Sequence, residues 1–304
     1  MPNQDANDSL IEVITAPWNI GLRPDPAAGG ALPGTWRAPE VLAEAGLNDR
    51  LGAVVTELPR PPYDTEPQPG TWIRNGHTLR EHTLLLAEAV TAALSAGRTP
   101  VVVGGDCSVV LGGLIGTRRR HERVALLHVD GHTDFGHPGN QEPDTLVSPA
   151  GMALALSTGR GEPLLTRWPG IEAELVQDQD VVQLGDREDE VPPGTFLVIG
   201  IEALLAKGIS AAVGQAVGHL DPDLPIWLHV DLDVLDAAVL PAVDSPGSPG
   251  LNYPQLTQLL AELVGTGQIV GIDVTIYDPD LDPGTGQAPA IVDCLVAGLR
   301  PDLA

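Results

Sequence analysis

The chain has 304 residues, 43% of them hydrophobic, with 41 acidic against 16 basic residues and a formal net charge of −25. That is enough apolar material for a substantial core, and the acidity leaves no basic face for nucleic-acid binding. Two cysteines make no disulfide framework, no apolar run reaches the ~18 residues of a membrane span, and the single lysine, Lys207, argues against Schiff-base or phosphate-loop chemistry.

Residues 1–10 read as a frayed terminus. Their polar, acidic character resembles neither a secretory signal nor a transit peptide, so a cytoplasmic protein is expected. Ile11 to Ala16 reads as a strand. A Gly/Pro-rich loop follows from Gly21 to Trp36, of a length that is usually functional or disordered. Arg37 to Gly46 resembles a short helix, Leu51 to Leu58 a strand, and Pro59 to Gly70 a second Pro-rich loop. Leu79 to Leu94 repeats apolar residues at helical spacing and stops near Gly97. Thr99 to Val103 is a buried-type strand that turns through Gly104 to Cys107 into a helix over Ser108 to Gly116. Arg118 to Arg120 and Arg123 read as a solvated helix end.

Val124 to Val129 is a strand and Pro149 to Ser157 a helix. Asp180 to Gly185 and Thr195 to Gly200 are strands, and Ile209 to Val217 a helix. Ile226 to Val230 is a strand, and Tyr253 to Val264 a helix with Pro254 in its first turn. Gln268 to Ile276 is the last strand and Ala288 to Leu299 the last helix. Alternation of apolar strands with helices predicts an α/β fold, with a parallel sheet covered on both faces. Ligands of such sheets sit at the carboxyl ends of the strands.

Those ends carry the chemistry. Asp130, His132 and Asp134 follow one strand, and Asp231 and Asp233 another. In extended chain, period-two spacing puts each set on one face. A single Asp there is ordinarily a turn or cap residue. Two such sets need a reason to hold their charge together, and a divalent cation is the simplest, because clustered buried carboxylates are costly without one. Hard oxygens with one imidazole suit Mn²⁺, Mg²⁺ or Fe²⁺ better than a structural zinc site. Four carboxylates match two divalent cations, which together generate a nucleophile from water at neutral pH. The Gly-rich stretch from Val103 to Gly113 lacks both the dinucleotide and the NTP fingerprint.

Gly104 to Ser108 (GGDCS), Asp130 to Asp134 (DGHTD) and His229 to Asp236 (HVDLDVLD) resemble, in order and spacing, the three metal motifs of the ureohydrolase (arginase, agmatinase, formimidoylglutamase) superfamily. Pro241 to Asp244, followed by Gly250 and Leu251, resembles the segment after the third motif. The resemblance implies one domain over residues 1–304, with a three-layer α/β/α fold around a mostly parallel, eight-stranded sheet. It implies hydrolysis of a guanidino, amidino or formimino C–N bond at a pair of Mn²⁺ ions, a small nitrogenous substrate, and a homo-oligomer, trimer or hexamer.

By matched position, Asp130 and Asp231 would bridge the metals, Asp134 would bind metal A, and His132 and Asp233 would bind metal B. The chain departs from the pattern in three places. Cys107 stands at a metal-A position where the family usually has His; a thiolate there is softer and favours zinc or iron, or a single metal, and otherwise Cys107 is a small buried side chain. Ala150 stands in place of an acid/base His, and Ile276 in place of a Glu that receives the guanidinium. His137 and Asp278 are the catalytic candidates nearby, although a loop His is often only solvated and Asp-Pro is a common turn start. His229 is a candidate partner behind the metal ligands. Glu142 and Asp144 fall in a loop that usually contacts substrate. The departures admit two other readings: a non-catalytic or single-metal homologue acting as a binding or oligomer subunit, or an amidase-like hydrolase of a neutral substrate, which an apolar Ile276 would fit.

Overall fold

Eight Val-, Ile- and Leu-rich runs become β1 (Ile11–Ala16), β2 (Val54–Glu57), β3 (Thr99–Gly104), β4 (Ala125–Val129), β5 (Val181–Leu184), β6 (Leu197–Ile199), β7 (Ile226–Asp231) and β8 (Ile269–Thr275). They form one sheet in the order β2-β1-β3-β8-β7-β4-β5-β6, and every pairing is parallel. The structure, a computed structural model, describes residues 10–25, 29–140, 147–188, 191–192 and 194–300. Of the segment expected to fray only Leu10, which is exposed, is described, and Glu142 and Asp144 lie outside the described residues.

β4, β5 and β7 are buried along their whole length. Helices cover both of their faces, so they carry no polar alternation. The edge strand β2 does alternate. Helices Gly76–Ser95, Val110–Arg118, Ala153–Ser157 and Pro163–Thr166 pack together as one layer. Ala38–Glu44, Leu47–Leu51, Ile201–Lys207, Ile209–His219, Tyr253–Val264 and Ala288–Leu299 form the other. The expected three-layer α/β/α arrangement is therefore observed.

The differences from the sequence reading have local causes. Leu51 closes a five-residue helix bounded by Gly46 and Gly52, both at positive φ, and does not start β2. That helix, Pro163–Thr166 and Ile201–Lys207 are too short to show a helical period. Helix Val110–Arg118 is buried nearly all round because its glycines admit close neighbours. A Cβ on Gly113 would lie 2.1 Å from Trp227 Cζ2, and one on Gly271 2.2 Å from Trp227 Cζ3. Trp227 is thus clamped between the helix and β8, and its Nε1–H donates to Asp273 at 2.6 Å. This places Asp273, on β8, directly behind the carboxyl end of β7.

Candidate metal centre

Four adjacent strands, β3, β8, β7 and β4, deliver the chemistry at their carboxyl ends, where ligands of open parallel sheets bind. Cys107 opens a short 3-10 turn after β3. Asp130 follows β4, Asp231 ends β7, and Asp233 lies in the next 3-10 turn. The trio Asp130, His132 and Asp134 is not a continued strand as the period-two reading supposed. β4 stops at Val129, and Asp134 has φ 46°, so a turn brings the three side chains to the site.

Asp130 is the hub. Its Oδ1 accepts the His132 backbone N–H at 2.7 Å. Asp231 Oδ1 accepts the Asp233 N–H at 2.7 Å, and its Oδ2 takes the Cys107 thiol at 2.9 Å. Asp233 Oδ1 accepts the Gly131 N–H at 3.0 Å, and its Oδ2 lies 2.6 Å from His132 Nδ1. Three overlapping donor groups result: Cys107, Asp130, His229 and Asp231; His128, Asp130, Asp134 and His229; and Asp130, His132 and Asp233. In each, the donor atoms lie within 4.8 Å of one another.

Electrostatics tests whether these residues fit a cation. Burial, then the Asp233 charge, raises the Asp130 carboxyl to about 6. Burial and neighbouring carboxylates push Asp134 and Asp231 well above the usual range. Burial, then Asp231, pushes up the Cys107 thiol. Burial disfavours the charged form of His132, but Asp233, Asp130 and Asp134 outweigh it and raise the ring to about 10. A site in which carboxylates resist ionising and imidazole is drawn to charge lacks positive charge. Asp130 Oδ2, Asp134 Oδ2, His128 Nε2 and His229 Nε2 are all buried with no hydrogen-bond partner among the described residues. Buried polar atoms are rarely left so. Four donor atoms in one group, unpartnered and short of positive charge, fit a divalent cation.

The remaining expected residues are placed differently. His137 Nδ1 accepts the Gly139 N–H at 3.0 Å, and its ring meets Phe135 edge-on at 5.2 Å. Among the described residues, none of these contacts reaches the carboxylates. Asp278 is buried with both oxygens committed to backbone: Oδ2 accepts Gly34 N–H at 2.9 Å and Oδ1 accepts Asp280 N–H at 2.8 Å. It ties the loop before Trp36 to the end of β8. Ala150 is buried, its N–H donating to Gly21 O at 3.1 Å. Ile276 is buried at φ 75°, a backbone region that β-branched residues enter only under strain, and such strain clusters at functional sites.

Three residues gain meaning only from the structure. An antiparallel bridge between Val243 and Tyr277 sets Asp244 across from Ile276. Burial raises the Asp244 carboxyl, and Asp233 adds to the rise. Its one hydrogen bond among the described residues is from Ser245 Oγ to Oδ2 at 3.3 Å. Glu188 Oε1 lies 4.0 Å from His132 Nε2. His128 stacks on His229 with ring centroids 4.4 Å apart. Only pairing register could reveal Asp244 and His128. The same-face position of His229, two before Asp231, was visible in sequence.

Comparison with known proteins agrees with this geometry. The Arginase family model matches residues 13–297. Arginase-1 of Bos taurus is 26% identical over 94% of this chain and 90% of its own length. The arginase structure from Bacillus caldovelox superposes with TM-score 0.82 at 24% identity, covering 96% of this chain and 98% of that one. The formiminoglutamase structure of Trypanosoma cruzi with Mn²⁺ gives 0.71 at 15%, covering 98% and 95%. A family match across almost the whole chain, with the motif residues gathered at the strand ends, establishes that this chain belongs to the arginase family.

Proposed function

We propose that the chain hydrolyses a C–N bond of a small, cationic guanidino or amidino compound, using two divalent cations, manganese being the native pair. Asp130 and Asp231 would be shared between them, Asp134 would serve one, and His132 and Asp233 the other; Cys107 stands at the remaining family position. The observation that carries the reading is the set of buried, unpartnered donor atoms around Asp130. Divalent cations in such a site supply Lewis acidity and a water nucleophile at neutral pH. The T. cruzi formiminoglutamase structure, which contains Mn²⁺, supports the choice of metal.

The chain's own residues set the substrate class. The carboxylate expected at position 276 is replaced by apolar Ile276, and Asp244 lies in the segment bridged to this one at Val243 and Tyr277, near enough to Asp233 and His132 to feel their charge. Asp244 offers a half-buried carboxylate with an oxygen to spare for a substrate N–H, and a charge-assisted hydrogen bond there is stronger than a neutral one. This favours a cationic substrate over the neutral one that Ile276 alone would fit. Assembly into trimers or hexamers, and a cytoplasmic location, belong to the same reading and rest on the family resemblance. No helix among the described residues is long and apolar enough to cross a membrane.

The test is elemental analysis of the chain before and after Mn²⁺ incubation, followed by a panel of guanidino, amidino, formimino and neutral amide compounds. Two ions per chain and turnover confined to cationic compounds are expected. A chain that takes up no metal under either condition would sink the hydrolase reading and favour the binding-subunit alternative. Turnover of neutral amides alone would overturn the role of Asp244.

A further inference from the structure

The side chain at position 107 poses a problem of ligand supply. The first metal position has three carboxylates in reach, Asp130, Asp134 and Asp231, but its expected imidazole is the thiol of Cys107. That thiol is already engaged, donating to Asp231 Oδ2 at 2.9 Å, with Thr275 Oγ1 at 3.9 Å.

An imidazole is nevertheless present, two strands away across β8. His229 is fully buried on β7. It belongs both to the group of Cys107, Asp130 and Asp231 and to the group of His128, Asp130 and Asp134. It therefore faces all three carboxylates of that position. Its orientation is fixed from behind. Asp273 Oδ1 lies 2.6 Å from His229 Nδ1, while Asp273 Oδ2 accepts the Trp227 indole N–H at 2.6 Å. A carboxylate so placed accepts the Nδ1–H and turns Nε2 towards the site, the arrangement in which metal-bound histidines are ordinarily held.

Nε2 has no hydrogen-bond partner among the described residues. It lies 3.7 Å from Asp130 Oδ2, which is too long for a hydrogen bond. Two donors on one cation, each about 2.1 Å from it, can lie up to about 4 Å apart. On the opposite face His128 stacks on the ring. Its Nδ1 lies 2.5 Å from Gln183 Oε1, and the Gln183 amide donates to the carbonyls of Asp130 and His132. Ring plane and tautomer are both set by residues that the carboxylate motif does not include.

We infer that His229, not Cys107, supplies the imidazole of the first metal position, through Nε2, with Asp273 and Trp227 positioning it and Cys107 remaining a thiol that orients Asp231. The inference rests on the metal-dependent reading above and adds to it a nitrogen ligand from β7. A position built from imidazole and carboxylates has no soft sulfur donor, so its metal preference follows the N/O series and not thiolate affinity.

X-ray absorption spectroscopy of the wild-type chain loaded with Mn²⁺, and separately with Co²⁺, tests this without relying on a variant to fold. Two or more imidazoles per pair of ions and no sulfur neighbour are expected, with no sulfur-to-cobalt charge-transfer absorption. In parallel, Cys107→Ser is expected to keep two ions per chain, and His229→Ala to keep one, with circular dichroism as the control for folding. A sulfur neighbour, or a charge-transfer band that Cys107→Ser abolishes, would overturn the assignment while leaving the hydrolase reading intact. Two metals with a single imidazole between them would also overturn it. A chain that binds no metal would overturn both.

Discussion

Replacing Asp130 by Asn has opposite effects on stability with and without metal, and the reversal is the diagnostic. Burial and the Asp233 charge raise the Asp130 carboxyl from 3.8 to about 6 in the folded chain. Between those values the folded state holds a proton that the unfolded state has released, so stability falls as pH rises through the window. Raising the carboxyl that far corresponds to roughly 3 kcal/mol at pH 7. For 304 residues, that is a melting-temperature change of about 5 °C. Asn retains the Oδ1 acceptor for the His132 N–H but carries no charge. In the presence of a chelator, Asp130→Asn and wild type should match near pH 4 and diverge towards neutrality, with the variant the more stable. With Mn²⁺ at a hundredfold excess over Kd, each occupied site adds about 2.7 kcal/mol to the wild type, and the order should invert. Equilibrium urea unfolding at pH 4 to 7.5, with chelator and with Mn²⁺, reads both arms. A variant less stable than wild type in chelator at pH 7 would refute the argument, because the carboxylates would then be stabilising the fold without a cation.

Four further outcomes follow from the same contacts. His132 and His229 are both raised to about 10, burial being outweighed by their carboxylate partners. Metal binding at pH 7.5 should therefore release about two protons or more and tighten as pH rises; titration calorimetry in buffers of different ionisation enthalpy measures this, and zero release would refute it. Asp244→Asn should lower kcat/KM for a cationic substrate by about ten- to a hundredfold, the worth of a charged hydrogen bond, with metal content unchanged. Asp278→Ala strips the acceptor from the Gly34 and Asp280 N–H groups; a loss of about 1–3 kcal/mol is expected, seen in urea unfolding, with metal content retained. Gly113→Ala drives a Cβ into Trp227 and should cost about 1–3 kcal/mol, with a shift in tryptophan emission as the ring leaves its clamp.

Apolar runs located all eight strands, because burial on both faces makes strands β4, β5 and β7 predominantly apolar, without the alternation of a half-exposed strand. The metal motifs were legible for a related reason: one Asp after such a run is an ordinary cap, as Asp106 is after β3, but two sets of clustered charge exceed what capping needs. The geometry was less legible. Asp134 reaches the site through a backbone at φ 46°, which spacing alone does not reveal. Short helices such as Leu47–Leu51 left no period to detect. Asp278 is a catalytic candidate by its nearness in sequence to Ile276, yet both its oxygens hold backbone.

What sequence could not reveal was compensation between strands. A motif read along one segment reports Cys107 and Ile276 as losses. Each lies near a segment that is far away in sequence and that the fold brings to the same end of the sheet. His229 on β7 faces the same carboxylates as Cys107, and Asp244 is set across from Ile276 by the bridge at Val243 and Tyr277. In a parallel sheet the carboxyl ends of nearby strands open onto the same crevice, so a ligand removed from β3 can be returned from β7, two strands away, with little change in where its atoms sit. Register alone decides whether that happens: moving a strand by one residue sends its side chains to the other face. The pairing of His128 with His229, and of His229 with Asp273, is therefore the physical basis for treating this chain as a rebuilt metal site and not a decayed one.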